Sequence, residues 1–273
     1  MSRHSGAAVL TALIFGYAFL YAPIAVLIAY SFNDSRLVTV WGGFSLRWYA
    51  ALFANDRMVE AAWLSLRIAA VSATFAVILG TAAAVALVRF GRFRGRSVFS
   101  AMLLAPLVIP EVVTGLALLL LFVWLQGVLG WPSRRGAVTI AIAHVILSVA
   151  YVTVVVRARL VRLDPDLERA ATDLGARPFA AFRQVTLPLL VPALGAGWLL
   201  AFTLSLDDLV VASFVSGPGA STLPIVVFSS VRLGVTPEVN ALATLLVAFV
   251  AMAIGCAGLL MRRRGCRIVK RLP

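Results

Sequence analysis

The sequence predicts an all-α polytopic membrane protein with six transmembrane helices, and three observations predict it. First, 62% of the 273 residues are hydrophobic and the mean hydropathy is +1.01, whereas a soluble domain is about 45–50% apolar. Second, the apolar residues gather into runs of the ~20 residues needed to cross ~30 Å of hydrocarbon. Third, the basic residues, 24 against 11 acidic, collect in alternate gaps between those runs. They form no basic domain, so the net charge of +13 points to a lipid bilayer as partner and not to nucleic acid. Cys256 lies in an apolar run and Cys266 in the basic tail, so the two cysteines build neither a disulfide framework nor a metal spacing.

The spans follow in order. The first, 7–31, falls in the uncharged stretch Ser5–Asn33. It is too long for a signal-peptide core and is expected to stay as an anchor. The second is 65–89. The third, 98–126, contains Pro106, Pro110 and Glu111. The fourth is 137–157, the fifth 189–208 and the sixth 238–261. No internal repeat divides them, so a single transmembrane domain over 1–273 is expected, with a polar loop at 158–188. With the N-terminus inside, 17 of the 24 basic residues fall in cytoplasmic segments, which places both termini in the cytoplasm. Trp41, Trp48, Trp63, Trp124 and Trp131 then fall in or beside outer segments, as an interfacial belt requires. Trp198 alone sits in mid-span.

The polar loop is built to form helices of its own. In DPDLERAATDLGARPFAAFRQVTLP (Asp164–Pro188), Asp164 is a good N-cap and Pro165 suits the first helical position. Leu167, Ala170, Ala171 and Leu174 share one narrow apolar face, and Gly175 is placed as the residue after the helix end. Pro178 starts a second short helix with Phe179 and Phe182 on one side, and Pro188 is expected to mark re-entry into the membrane. Such a segment lies either in a groove of another protein or on the bilayer surface. Its small alanines favour a protein groove.

Three carboxylates fall inside the spans: Glu111, Asp207 and Asp208. A charge at mid-bilayer costs about 2.5–3.5 kcal/mol, so such residues tend to face the protein interior and to serve function. At ~1.5 Å per residue, Glu111 is expected about 20 Å along the third span and the aspartates about 28 Å along the fifth. Two alternatives stay open: the aspartates could simply end their helix at the water interface, and Glu111 could pair with Arg67. Trp198, Ala201, Ser205 and Asp208 fall on one helical stripe, with Asp207 turned toward Thr203. That stripe offers a π-face, a hydroxyl and a carboxylate, or else it is plain helix packing. His144, alone in the fourth span, reads as a hydrogen-bonded packing residue. SGPGAST (Ser216–Thr222) is a turn-rich break before a short apolar run. It is expected to be either an outer re-entrant, gate-like element or an ordinary loop.

The spacing of Ala170-Ala171, Gly175 and Thr186-Leu187-Pro188, set before the penultimate span, resembles the "EAA–G–LP" loop of permease subunits in ABC importers. APLVIPEVVTGLALLLLF (Ala105–Phe122) and the stretch Gly197–Leu246 are similar to the polyamine branch of that family. The resemblance implies the ABC type I importer permease fold. It implies a coupling loop built on Glu168, Arg169, Ala170, Ala171, Asp173, Gly175, Leu187 and Pro188. By register with Gly175, Arg169 stands where the family has its glutamate, and Glu168 is one residue earlier, about 100° away around a helix.

The resemblance further implies partners: two ATPase subunits, a homologous second permease, and an extracytoplasmic polyamine-binding protein, in a bacterial inner membrane. Putrescine is the expected cargo, with spermidine or another small cation as the alternative. A substrate path through Asp208, Asp207, Trp198, Ser205 and Glu111 is then expected, because a cation over a tryptophan face gains about 0.5–2 kcal/mol, weak enough to release. The chain carries no P-loop, metal cluster or nucleophile elbow. No catalysis, metal or cofactor is therefore expected in it, ATP being bound by the partner subunit. A stand-alone secondary transporter is the rival from another class. Six helices without an inverted repeat, and a polar loop that asks for a partner, argue against it.

Overall fold

The structure, a computed structural model, describes residues 3–36, 40–233, 237–248 and 251–252. Their regular structure is helical, apart from one isolated bridge between Asn33 and Phe44. The helices are α1 (Arg3–Ser31), α2 (Arg47–Ala54), α3 (Asp56–Arg89), α4 (Arg96–Val108), α5 (Glu111–Leu129) and α6 (Ala137–Leu160). They continue with α7 (Asp166–Asp173), α8 (Pro178–Ala181), a π-helical turn (Phe182–Thr186), α9 (Leu187–Asp207), α10 (Val210–Val215) and α11 (Leu223–Leu233), then α12 (Pro237–Ala248). Among the described residues, five stretches are long and apolar enough to cross a membrane: Val9–Ser31, Asp56–Arg89, Glu111–Leu129, Ala137–Leu160 and Pro178–Asp207. Of the expected sixth span, 238–261, only α12 and residues 251–252 are described. The rest of it, with Cys256, Cys266 and the basic tail, lies outside the described residues.

The expected third span, 98–126, is corrected to two helices. Ile109 is extended, at φ −76° and ψ 132°, and Pro110 follows at φ −55° and ψ 137°. A proline has no N–H for the helix ladder and pushes the residue before it out of the α region. Pro106 sits within α4 and breaks nothing. Glu111 therefore opens α5 and does not lie part-way along a continuous helix. The expected fifth span, 189–208, is part of a longer run that is helical without interruption from Pro178 to Asp207. Pro188 interrupts no helix. It lies in the first turn of α9, where the π-helical turn, with its i→i+5 spacing, carries the chain past a residue with no N–H to give.

The chain divides into two compact units, residues 1–59 with 227–273 and residues 60–226. In the first, Asn33 organises the loop after α1. Its side chain donates to Val40 O and accepts from Gly42 N, both at 2.7 Å, and its carbonyl takes the Trp48 indole N–H at 2.7 Å. Ser31 and Tyr49 share a hydrogen bond at 2.7 Å, and Asn55 donates to Glu238 at 3.2 Å.

The second unit is built around α6. One face of α3 is a ladder of small residues, Ala69, Ala73, Ala76, Gly80 and Ala84, all four alanines being 0% exposed. Small residues let membrane helices approach closely, so van der Waals contact and interhelical hydrogen bonds replace the absent hydrophobic drive. Ser72 donates to Ala141 O at 3.1 Å and Thr139 to Val215 O at 2.7 Å. Two apolar clusters result. One joins α3, α5, α6 and α10 around Phe122 and Ile140, and the other joins α3, α6 and α9 around Val152 and Leu190.

Gly80 lies where α3 packs closely on α6. A Cβ there would stand 2.8 Å from Val152 Cγ1 and 3.2 Å from the Thr153 backbone nitrogen. Gly80→Ala is expected to destabilise the protein by about 1–3 kcal/mol through overpacking. Thermal denaturation in detergent, beside the wild type, checks it.

Candidate functional site

Two helix breaks open onto one cavity in the second unit. The α4–α5 break sets Glu111 at the mouth of α5, and the break after α9 sets Asp207 and Asp208 beside α10. Between them lies a cavity of about 250 Å³ lined by Glu111, Asp207, Asp208, Ser205, His144 and Tyr151, among others. Non-helical backbone at membrane depth is tolerated where it is buried in protein or lines a cavity.

The predicted stripe holds only in part. Ala201 and Ser205 are buried on α9, but the helix ends at Asp207, and Asp208 is extended at φ −67° and ψ 119°. Asp208 thus leaves the stripe and turns its carboxylate toward α6. His144 reaches across: Nδ1 lies 2.6 Å from Ser205 Oγ and Nε2 lies 3.0 Å from Asp208 Oδ2. The Asp208 carboxylate also accepts the backbone N–H groups of Val211 at 3.3 Å and Ala212 at 2.7 Å. His144 is 2% exposed and Asp208 10%, so the network is nearly buried although it borders the cavity. Glu111 and Asp207 are instead exposed. Among the described residues no ion pair reaches either, and the Arg67 guanidinium lies over the Trp63 ring at 4.9 Å.

Trp198 is placed elsewhere. It stacks on Phe202 at 5.1 Å, donates to Thr74 at 3.1 Å, and packs against the Val152 cluster. Its ring does not line the cavity that holds the carboxylates. Within the SGPGAST segment Ala220 and Thr222 are buried, at 4% and 3% exposed, while Pro218, Gly219 and Ser221 are exposed.

The polar loop makes the second constellation. Asp164 caps the N–H of Asp166 at 3.0 Å. At the far end Gly175, at φ +89°, closes a Schellman motif, with Ala176 N–H on Ala171 O at 3.0 Å and Gly175 N–H on Thr172 O at 2.9 Å. The neighbours Glu168 and Arg169 part company. Arg169 points outward and pairs with Asp166 at 2.7 Å, both about three-quarters exposed. Glu168 points inward, 3.3 Å from Arg89 at the end of α3, and accepts a hydrogen bond from the buried Thr186 hydroxyl. Beside them is a groove of about 480 Å³ that Arg89, Glu168, Arg169 and Thr172 help to line. Leu174, Phe179 and Leu167 stand 90%, 76% and 47% exposed, so the apolar side of the loop is uncovered in this chain. Ala170 and Asp173 are exposed as well, and Ala171 is half-buried. Leu187 and Pro188 form the first turn of α9.

Sequence reasoning left out two participants. His144 was read as a hydrogen-bonded packing residue, and it is buried and bonded to Ser205 and Asp208, but those partners were not named; Arg89 was read only for charge bias. Neither carries a local signal, because their partners are 64 and 79 residues away in sequence.

Residues 76–264 match the family described as binding-protein-dependent transport system inner membrane component. The chain is 60% identical over 251 residues to the putrescine transport system permease protein PotI of Escherichia coli, covering 92% of this chain and 89% of that one. It is 44% identical over 246 residues to the spermidine/putrescine transport system permease protein PotC of the same organism, covering 90% of each. A bacterial ABC transporter that imports the acidic polysaccharide alginate has the same fold, with a TM-score of 0.72 at 18% identity over 94% of each chain. With its family segment spanning the helices that build both constellations, this multi-pass membrane protein belongs to the binding-protein-dependent transport system inner membrane components.

Proposed function

We propose that the chain is the permease subunit of an ABC importer that carries a polyamine, putrescine, across the bacterial inner membrane. The observation that carries the reading is the cavity between two helix breaks, where Glu111 and Asp207 present carboxylates with no cationic partner among the described residues. Uncompensated acids at membrane depth are costly and mark a path for cations. A relative with 60% identity is named for putrescine transport, which supplies the cargo. Both termini are cytoplasmic on the arginine distribution, which puts Asp164–Pro188 on the inner face. There the exposed Leu174 and Phe179 dock into a separate ATPase subunit, one of two. A homologous permease completes the pathway, and an extracytoplasmic binding protein delivers the cargo. ATP is bound and hydrolysed by the partner; this chain supplies the path and the lever. ATP-driven alternation requires that nucleotide and cargo each bind the inward- and outward-open states with different affinity.

Spermidine is the second reading, favoured by the 44% identity to a spermidine/putrescine permease. The test is uptake of labelled putrescine into proteoliposomes holding the full complex, with ATP inside or withheld, with an ionophore, and with spermidine as competitor. Uptake that follows an ion gradient and ignores ATP would sink the proposal. In the same assay Asp207→Asn is expected to raise KM by about tenfold, equivalent to about 1.4 kcal/mol of lost cation binding.

A further inference from the structure

The three carboxylates around the cavity are not equivalent. Asp208 follows α9, and its oxygens take the N–H groups of Val211 and Ala212 in the first turn of α10. Val211, Ala212 and Val215 are 0% exposed, packed with α5 and α6. In that setting unpaired amide N–H groups have no water to turn to, so the carboxylate is what allows α10 to start there. A third contact comes from His144. An ionised carboxylate only accepts, so His144 Nε2 carries the proton, and in the neutral ring Nδ1 is then the acceptor for the Ser205 hydroxyl. The imidazole is fixed at both ends, between α9 and the residue that follows it.

We infer that His144 is a positioning residue that holds Asp208 as a structural post. The carboxylates that receive cargo are then Glu111 and Asp207. This rests on the proposed reading that the cavity takes an organic cation. It divides the site into a hydrogen-bonded half, Ser205–His144–Asp208, and an exposed half that offers two carboxylates, Glu111 and Asp207, to a cation. The groups facing His144 are Ser205 and Asp208 in contact, with Tyr151, Glu111 and Asp207 around the same cavity.

The two roles predict opposite behaviour of one conservative variant. Asparagine caps a helix nearly as well as aspartate, and its amide oxygen, set in the place of Oδ2, still accepts from Ala212 N–H and from His144 Nε2–H, but it has no charge to offer an ammonium. Asp208→Asn, Asp208→Ala, His144→Ala and His144→Gln are compared with Asp207→Asn and Glu111→Gln in the reconstituted complex. Asp208→Asn is expected to keep KM for putrescine within about twofold of wild type while Vmax falls several-fold, whereas Asp207→Asn and Glu111→Gln raise KM by about tenfold. The melting temperature of the complex, which needs no cargo, is expected to fall for Asp208→Ala and His144→Ala and to recover partly in Asp208→Asn and His144→Gln.

A rise in KM for Asp208→Asn as large as for Asp207→Asn would make Asp208 a ligand and overturn the inference. So would a His144→Ala complex that melts and transports like wild type. Absence of ATP-driven putrescine uptake in the wild type counts against the proposed cargo alone, and the melting series then decides the role of His144.

Discussion

Glu168→Ala is expected to cut ATP-driven uptake by about tenfold while the ATPase subunit still co-purifies with the complex. Glu168 joins three elements at one point: α7, which carries it, the end of α3 through Arg89, and the start of α9 through Thr186. Its side chain is 26% exposed and that of Arg89 19%, so solvent screens the pair less than it would a surface pair, whose worth is about 0–1 kcal/mol. Losing one partner here leaves a half-buried guanidinium without its counter-charge. On the proposed function, a displacement of α7 by the ATPase is then expected to pass less faithfully into α9, the helix that ends at the acid-lined cavity. A bias of about 1–2 kcal/mol between two states changes their ratio by about 5–30-fold. Leu174 and Phe179, the exposed apolar residues on which the proposed docking rests, are untouched, so co-purification is expected to persist. Glu168→Gln, which keeps an acceptor for Thr186 but loses the charge facing Arg89, is expected to fall between. Arg169→Ala removes the exposed pair with Asp166 and leaves the join of Glu168 to Arg89 and Thr186 intact, so it separates the two neighbours. Uptake equal to wild type in Glu168→Ala would show that motion reaches α9 by another route.

Gly217→Ala is expected to be among the most damaging single substitutions in the second unit. A Cβ at that position would stand 2.3 Å from the Arg135 carbonyl oxygen and 2.8 Å from its carbonyl carbon. The obstacle is backbone, so no rotamer relieves it. Arg135 is tied in its turn by a hydrogen bond from its guanidinium to Phe214 O at 3.4 Å, and the next residue, Gly136, caps α6. The expected cost is about 3 kcal/mol, at the upper end for overpacking. Gly219→Ala, two residues on, makes the comparison. It meets nothing within 4 Å but holds φ +77°, so its cost is the left-handed backbone alone, about 1–2 kcal/mol. Melting temperatures in detergent order the two, and equal losses would mean that the Arg135 contact yields more easily than the geometry implies.

Most of the helix layout was legible because hydropathy and punctuation are local. Gly175 was marked as the end of α7, and it closes the Schellman motif there. The runs at 7–31, 65–89 and 137–157 became α1, α3 and α6 within a turn or so, save that α3 begins at Asp56. Span three was misread because an apolar run does not show whether its proline bends a helix or ends it. Pro106 sits quietly within α4, while Pro110 separates α4 from α5.

The site was legible as residue types and not as contacts. The acids stood out because charge in an oily run is rare. The grouping of Trp198 with Asp208 failed because it assumed one unbroken helix through Asp208. Once α9 stops at Asp207, Asp208 no longer follows the 100° turn, and it meets α6 instead.

The sequence by itself determined what each segment is: which runs suit a membrane, where the amphipathic loop begins and ends, and which spans carry acids. These follow from the transfer of side chains between water and oil and from local backbone preference. Only the tertiary structure decided which groups meet. His144 with Ser205 and Asp208, and Glu168 with Arg89 and Thr186, depend on how each helix is rotated and where it breaks, and a shift of one residue turns a side chain to a different neighbour.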